Sequence, residues 1–125
     1  MRKTLSRIAV AGTGVATLLV FTASPALADT DKTISNGHGW MKYYDDGDTF
    51  QVCDTNADGH GVTGELVQVY PGGSTTIRLT LTDGGDSGCS AKKGYNVGNG
   101  FNEQYEMWLS WNGGGATVKS APFNE

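Results

Sequence analysis

The sequence predicts a small all-β domain, an antiparallel sandwich or barrel of six to seven short strands that is held by one disulfide. Apolar residues recur with a period of two along most of the chain beyond residue 40, as half-buried strands require. Turn-forming residues separate these stretches at close intervals, which is typical of sandwiches and small barrels. The chain also carries two cysteines, enough for one covalent link.

The first 28 residues have the features of a secretory signal peptide. An apolar stretch over residues 8–21 precedes a small-residue cleavage site at residues 26–28. The apolar stretch is too short and too interrupted by glycine to anchor the chain in a bilayer. We therefore predict a secreted, extracellular protein with no membrane span. The basic residues that begin the peptide are Arg2, Lys3 and Arg7.

Cleavage after residue 28 leaves a strongly acidic chain. Residues 29–39 are polar and are predicted to form a flexible N-terminal arm, followed by a single β domain over residues 40–125. Six basic and thirteen acidic residues remain, a net charge of −7 with both histidines neutral. Such a surface repels phosphate backbones, which argues against a nucleic-acid partner.

Cys53 and Cys89 are predicted to form the disulfide. A domain of this size has a thin core and usually needs a staple, and an isolated cysteine pair in an exported protein is most simply one bridge. Closing a loop of about 37 residues stabilises a fold by about 4 kcal/mol. Two free thiols, or a zinc site completed by His38 and His60, are the disfavoured alternatives.

Six segments alternate in the manner of strands. The first two flank an aspartate-rich turn at residues 45–48, which predicts a hairpin. Residues 83–100 are dense in Gly, Asp, Ser and Lys and are predicted to form a loop. In the fourth segment, the alternation predicts core-facing Ile77, Leu79 and Leu81 and outward-facing Thr76, Arg78 and Thr80. The six segments are Trp40–Tyr44, Thr49–Cys53, Glu65–Tyr70, Thr75–Thr82, Gln104–Trp111 and Ala116–Ser120.

Residues 53–65 read CDTNADGHGVTGE and match the calcium-loop pattern D-x-[DN]-x-[DN]-G-x5-E. In a helix–loop–helix site the closing glutamate reaches the metal because a helix begins inside the loop. Here residues 62–64 are poor helix formers and a strand is predicted from Glu65, which would lie about 10 Å or more from the metal. The second half of the calcium motif therefore fails.

Two interpretations of the first half stay open. Asp54, Asn56 and Asp58 bind calcium together with the carbonyl of His60 and water, or they cap tight turns in a loop held by Cys53. The turn interpretation is favoured because such residues are abundant in this chain. In both cases these loop residues are candidate binding residues, and calcium is the one cofactor that the pattern suggests.

Trp108 is a second candidate for binding. It stands between Met107 and Leu109 in a predicted strand, so its ring faces away from theirs, whereas Trp111 is assigned to the core. An aromatic ring on the outer face of a sheet stacks on sugars or anchors a protein partner. The sequence therefore makes Trp108 a candidate for a protein or carbohydrate contact, and burial of its ring in the thin core is the alternative that stays open.

The residues do not form a recognisable catalytic set. His60 lies near Asp58, but no G-x-S-x-G serine context accompanies it. Guanyl-specific ribonucleases place Glu, Arg and His in that order, whereas Glu65 and Arg78 follow both histidines here. We therefore predict a non-enzymatic protein, with a small secreted hydrolase or ribonuclease as the disfavoured alternative.

Three segments carry a resemblance to a known group: YDDGDTFQVCDTNADGHGV, GGDSGC and the ending WNGGG–KSAPFNE. They resemble small secreted β-rich proteins of filamentous actinobacteria such as Streptomyces, over nearly the whole predicted mature chain. The chain is also similar to the adaptor subunit of umbrella toxin particles, which joins a lectin-bearing subunit to a toxin subunit. The resemblance implies a compact β fold without catalytic residues, and it does not require a metal ligand at the position of Asn56.

These observations predict a secreted protein-interaction module that binds a secreted protein partner, as an adaptor subunit of an extracellular antibacterial toxin complex. The alternative is a stand-alone calcium- or carbohydrate-binding domain.

Overall fold

Two antiparallel sheets pack face to face in the computed structural model, which describes residues 31–125. This confirms the predicted all-β fold, and the predicted signal peptide lies outside the described residues. In the described part of the chain no helix is long and apolar enough to cross a membrane. The strands are β1 (Lys32–Ser35), β2 (Gly39–Tyr44), β3 (Thr49–Asp54), β4 (Val62–Val69), β5 (Thr75–Asp83), β6 (Gly88–Cys89), β7 (Lys93–Gly94), β8 (Gln104–Trp111) and β9 (Val118–Lys119).

The first sheet has the order β1-β2-β3-β6, and β7 also pairs with β3. Strands β2 and β3 form the predicted hairpin, with Tyr44 opposite Thr49 at the turn. Strand β1 falls within the segment predicted as an arm, and it pairs with β2 while Ile34 packs against the core. The sequence did not reveal this strand because its four residues offer one apolar side chain, too few to define a period.

The second sheet has the order β5-β4-β8-β9 and contains a bulge that changes which side chains face the core. Leu66 pairs with Leu79 and Val67 pairs with Ile77, so no residue of β4 lies opposite Arg78 in the register. A shift of one residue moves the following side chains to the opposite face of a sheet. Ile77 is therefore 53% exposed, and the prediction that it faces the core is wrong.

The core lies between the two sheets and is sealed by large side chains from both. Leu81 is buried and Leu79 packs against the core, as predicted. Gly64 lies where the sheets pack tightly, since a Cβ at this position would meet the side chains of Val52 and Met41. The buried core residues are Met41, Tyr43, Phe50, Val52, Val62, Leu66, Leu81, Val97, Tyr105, Met107, Leu109 and Phe123.

Candidate functional site

Four loops meet at the end of the sandwich where β3 ends and β4 begins. They are residues 36–38, 55–61, 84–87 and 112–115, and we call them the loop cluster. The middle loop, 55–61, contacts each of the others through backbone hydrogen bonds. These bonds run from Thr55 N to His38 O at 2.9 Å, from Gly59 N to Gly85 O at 3.3 Å, and from Asn112 N to Gly61 O at 2.9 Å.

The disulfide and its neighbours fix the middle loop at both ends. Cys53 and Cys89 are directly opposed between β3 and β6 and are bonded, which confirms the predicted bridge. The amide of Asp54 donates to Oδ2 of Asp83 at 2.9 Å. At the other end, Gly61 passes so close to Asp83 that a Cβ would collide with its carbonyl oxygen. The loop is thus held against residues 83–89 before and after its tip.

The carboxylates that resemble a calcium loop cap turns in the structure. Oδ1 of Asp54 accepts the amide of Asn56 at 2.9 Å, and Oδ1 of Asp58 accepts the amide of His60 at 3.1 Å. Both are side-chain-capped turns, the second interpretation that the sequence allowed. Glu65 lies in β4 opposite Trp108, so the chain after Gly61 is extended, as predicted. Calcium binding by this loop stays a prediction.

A different acidic group lies at the opposite end of the sandwich. Among residues 31–125, carboxylates of Asp45, Asp48 and Glu125 have oxygens within 4.8 Å of one another, and the sequence had not singled them out. The hydroxyl of Tyr43 donates to Asp48 at 2.8 Å and to Asp45 at 3.2 Å. Burial of Tyr43 raises the pKa of its hydroxyl well above the usual range, and the bond to Asp48 adds to this. These bonds tie the β2–β3 turn to the core.

Both histidines of the chain contact Trp111 in the loop cluster. The His38 ring stacks on the indole with centroids 4.0 Å apart, and the His60 ring meets it edge-on at 5.4 Å. Nδ1 of His38 lies 3.5 Å from Oδ2 of Asp58, an ion-pair distance when the imidazole is protonated. Trp111 is half-buried and packs against the core, as the sequence predicted, and its ring is also a platform for two loops.

The surroundings of Asp58 hold its carboxylate in the charged form. The hydrogen bond from the amide of His60 lowers the pKa of Asp58 below its ordinary value, and the nearby imidazole of His38 acts in the same direction. The folded loop therefore stabilises the charged form of Asp58.

We expect Asp58→Asn to make the protein less sensitive to acid. Because the folded pKa is depressed, the charge stabilises the fold above the ordinary pKa of 3.8, and this contribution disappears as the pH falls through the depressed value. Asparagine keeps the turn cap without the charge. Urea midpoints at neutral pH and below pH 3.8 should therefore differ less for the variant than for the wild type. A difference between the two midpoints as large as that of the wild type would contradict this expectation. The control is Asp46→Asn in the exposed hairpin turn.

The loop cluster is acidic and is not saturated by its own hydrogen bonds. The four loops, taken with the flanking residues Asp54 and Asp83, contain four aspartates and no lysine or arginine. Buried polar side-chain atoms normally have a hydrogen-bond partner. In the described chain, the buried atoms that lack one all belong to this end of the fold. They are Asn36 Nδ2, Asp54 Oδ2, Trp111 Nε1 and His38 Nδ1, of which the last has the 3.5 Å contact with Asp58 in place of a hydrogen bond.

Trp108 lies on a different surface, the outer face of the second sheet, and faces away from Met107 and Leu109 as predicted. Its ring is half-buried and already occupied: Nζ of Lys119 lies 3.9 Å from the ring centroid, and Nε1 donates to Glu106 at 2.7 Å. A sugar ring that stacked on the same face would have to displace Lys119. Because Trp108 lies on this separate surface, the structure does not bring it together with the Asp54–Asp58 loop.

Fold and site together define a disulfide-stapled β-sandwich domain with an acidic loop cluster at one end. No protein-family model matches the chain, and comparisons with curated proteins and with solved structures find no match either. A proposal for the function therefore rests on the geometry of the described residues.

Proposed function

We propose that the protein is a secreted, non-enzymatic protein-interaction module that binds its partner through the loop cluster. The observation that carries this proposal is the joining of four loops by backbone hydrogen bonds and the Cys53–Cys89 bridge into one surface around Trp111. A surface that is ordered before binding loses less conformational entropy when a partner docks. The bridge also fits an oxidising, extracellular compartment.

The charge of the loop cluster specifies the chemistry of the partner. Asp58 and Asp86 are exposed, and no lysine or arginine of the four loops neutralises them. A complementary surface would present lysine or arginine side chains around an apolar group that packs beside the stacked rings of His38 and Trp111. The partner in this proposal is a secreted protein with a basic patch.

The rings of His38 and His60 both pack against Trp111, which supports a structural rather than a catalytic role for the two histidines.

In the finer form of the proposal the protein is an adaptor within an extracellular antibacterial toxin complex. An adaptor needs at least two contact surfaces, and the loop cluster is one of them.

Capture from the culture supernatant of the producing organism tests this function. Tagged wild-type protein should retain a basic secreted protein at low salt, and raised salt should release it. The double variant Asp58→Asn, Asp86→Asn should retain several-fold less, while Asp46→Asn in the distal turn should behave as the wild type. Failure to retain any secreted protein reproducibly, or equal retention by the double variant, would contradict the proposal.

A further inference from the structure

Strand β5 leaves a long open edge on the second sheet. It has nine residues and pairs only with β4, whereas the other edge strands of the described chain have four residues or two. Residues 75–78 are all exposed. Long free edges offer unpaired backbone groups to another strand, and proteins usually shorten or cover them.

The bulge in β5 adds an apolar contact to this edge. It turns Ile77 outward beside its cross-strand partner Val67, so that about half of the isoleucine side chain is exposed. Bound strands gain affinity from main-chain hydrogen bonds and specificity from side chains that fit such contacts. The exposed half of β5 thus supplies both elements of strand recognition.

Two cations beside this edge have no acidic partner of their own. Arg78 donates from Nε to Gln68 Oε1 at 2.9 Å and from Nη2 to the hydroxyl of Tyr70 at 2.8 Å. Nζ of Lys93 donates to the carbonyl of Thr80 at 3.2 Å. Within residues 31–125, neither cation forms an ion pair with a carboxylate. In a chain with thirteen acidic and nine basic residues, residues 75–80 thus have two unpaired cations beside them, and Glu65, opposite Thr80 on β4, forms no ion pair with either.

We propose that the β5 edge over residues 75–80 receives an extended, acidic segment of a partner protein as a fifth strand of the second sheet. Arg78 directs its guanidinium toward β4, where Gln68 and Tyr70 accept two of its hydrogen bonds, and its other N–H groups are left for a carboxylate of the added strand. The same acidic residue draws Lys93 away and frees the carbonyl of Thr80 for main-chain pairing. Lys93 thus blocks main-chain pairing at Thr80 with strands that lack an acidic residue.

A second copy of this chain is the disfavoured occupant, because it would bring its own Arg78 and Lys93 to the same edge. Like charges that face one another across a strand pair are destabilising. The β5 edge is separate from the loop cluster and does not depend on it. Together the two surfaces would give the protein the two contacts that an adaptor needs.

A capped peptide with the β4 sequence VTGELVQV is a suitable probe, since that sequence already pairs with β5 from its other side. Its only charge is the glutamate, and matched peptides carry glutamine or lysine at that position. The glutamate peptide should slow amide exchange within residues 75–80, and fluorescence anisotropy should show about tenfold weaker binding of the lysine peptide.

The variant Arg78→Gln, Lys93→Gln should bind all three peptides alike, and Lys93→Gln alone, at an exposed site, should reduce the discrimination without risk to folding. The loop-cluster variant Asp58→Asn, Asp86→Asn should bind the peptides as the wild type does, which separates this inference from the proposed function. Equal affinity of the wild type for the three peptides, or protection outside β5, would overturn the proposal. So would light scattering that shows a dimer of the free protein lost in Ile77→Asp.

Discussion

Replacing Cys53 and Cys89 by alanine should lower the free energy of unfolding by about 4 kcal/mol, the loop-entropy estimate for a bridge of this span. The bridge joins residues 36 apart in sequence and connects β3 to the short β6, which has two residues to pair. A loss of that size is a large part of the 5–15 kcal/mol that typically stabilises a domain. Urea denaturation of the double variant and the wild type measures it.

The same substitutions should loosen the loop cluster, because β6 holds residues 83–89 against the end of β3. Amide exchange at Gly59, which donates to Gly85, should become faster than in the wild type. Reduction of the wild type should reproduce the loss of stability, since it removes the same covalent bond. If the free energy of unfolding of the double variant is less than about 1 kcal/mol below that of the wild type, the bridge does not stabilise this fold substantially.

The second large effect is expected from Gly61→Ala, at the last residue of the loop before β4. A Cβ at this position would collide with the carbonyl oxygen of Asp83 and approach that of Gly84 to 2.8 Å, and both are backbone atoms that have little freedom to move. Overpacking of this kind costs about 1–3 kcal/mol. Urea denaturation should therefore show a clear loss of stability, together with weaker capture of the secreted partner.

Gly84→Ala is the matched control for this substitution. A Cβ at Gly84 meets no atom within 4 Å, and its backbone is not in the left-handed region. Its effect should stay within about 0.5 kcal/mol. Equal stability of the two variants would contradict the close packing of the middle loop against residues 83 and 84.

The sequence predicted the parts of this fold that depend on local signals. The hairpin around residues 45–48 follows from turn residues between two alternating strands, and the bridge follows from an isolated cysteine pair in a chain with a predicted export signal. Ile77 was misplaced because a bulge depends on how β5 pairs with β4. The alternation of residues within one strand does not reveal whether that strand has an extra residue relative to the strand it pairs with.

The candidate site was visible in part. Asp54, Asn56 and Asp58 stood out by their spacing, yet the structure uses both aspartates as turn caps. Trp111 and His38 were missed as parts of the site because they lie far from this loop in sequence. Strand order brings them to it, through the pairing of β4 with β8 and of β2 with β3.

Zero-length coupling of carboxylates to amines, followed by mass spectrometry of the complex with the captured partner, tests the central claim most directly. The loop cluster and the distal β2–β3 turn both present exposed aspartates, so they compete under identical conditions. We expect lysines of the partner to couple to Asp58 and Asp86. Coupling at Asp46, with Asp58 and Asp86 unmodified by the partner, would contradict the assignment of the loop cluster as the binding surface.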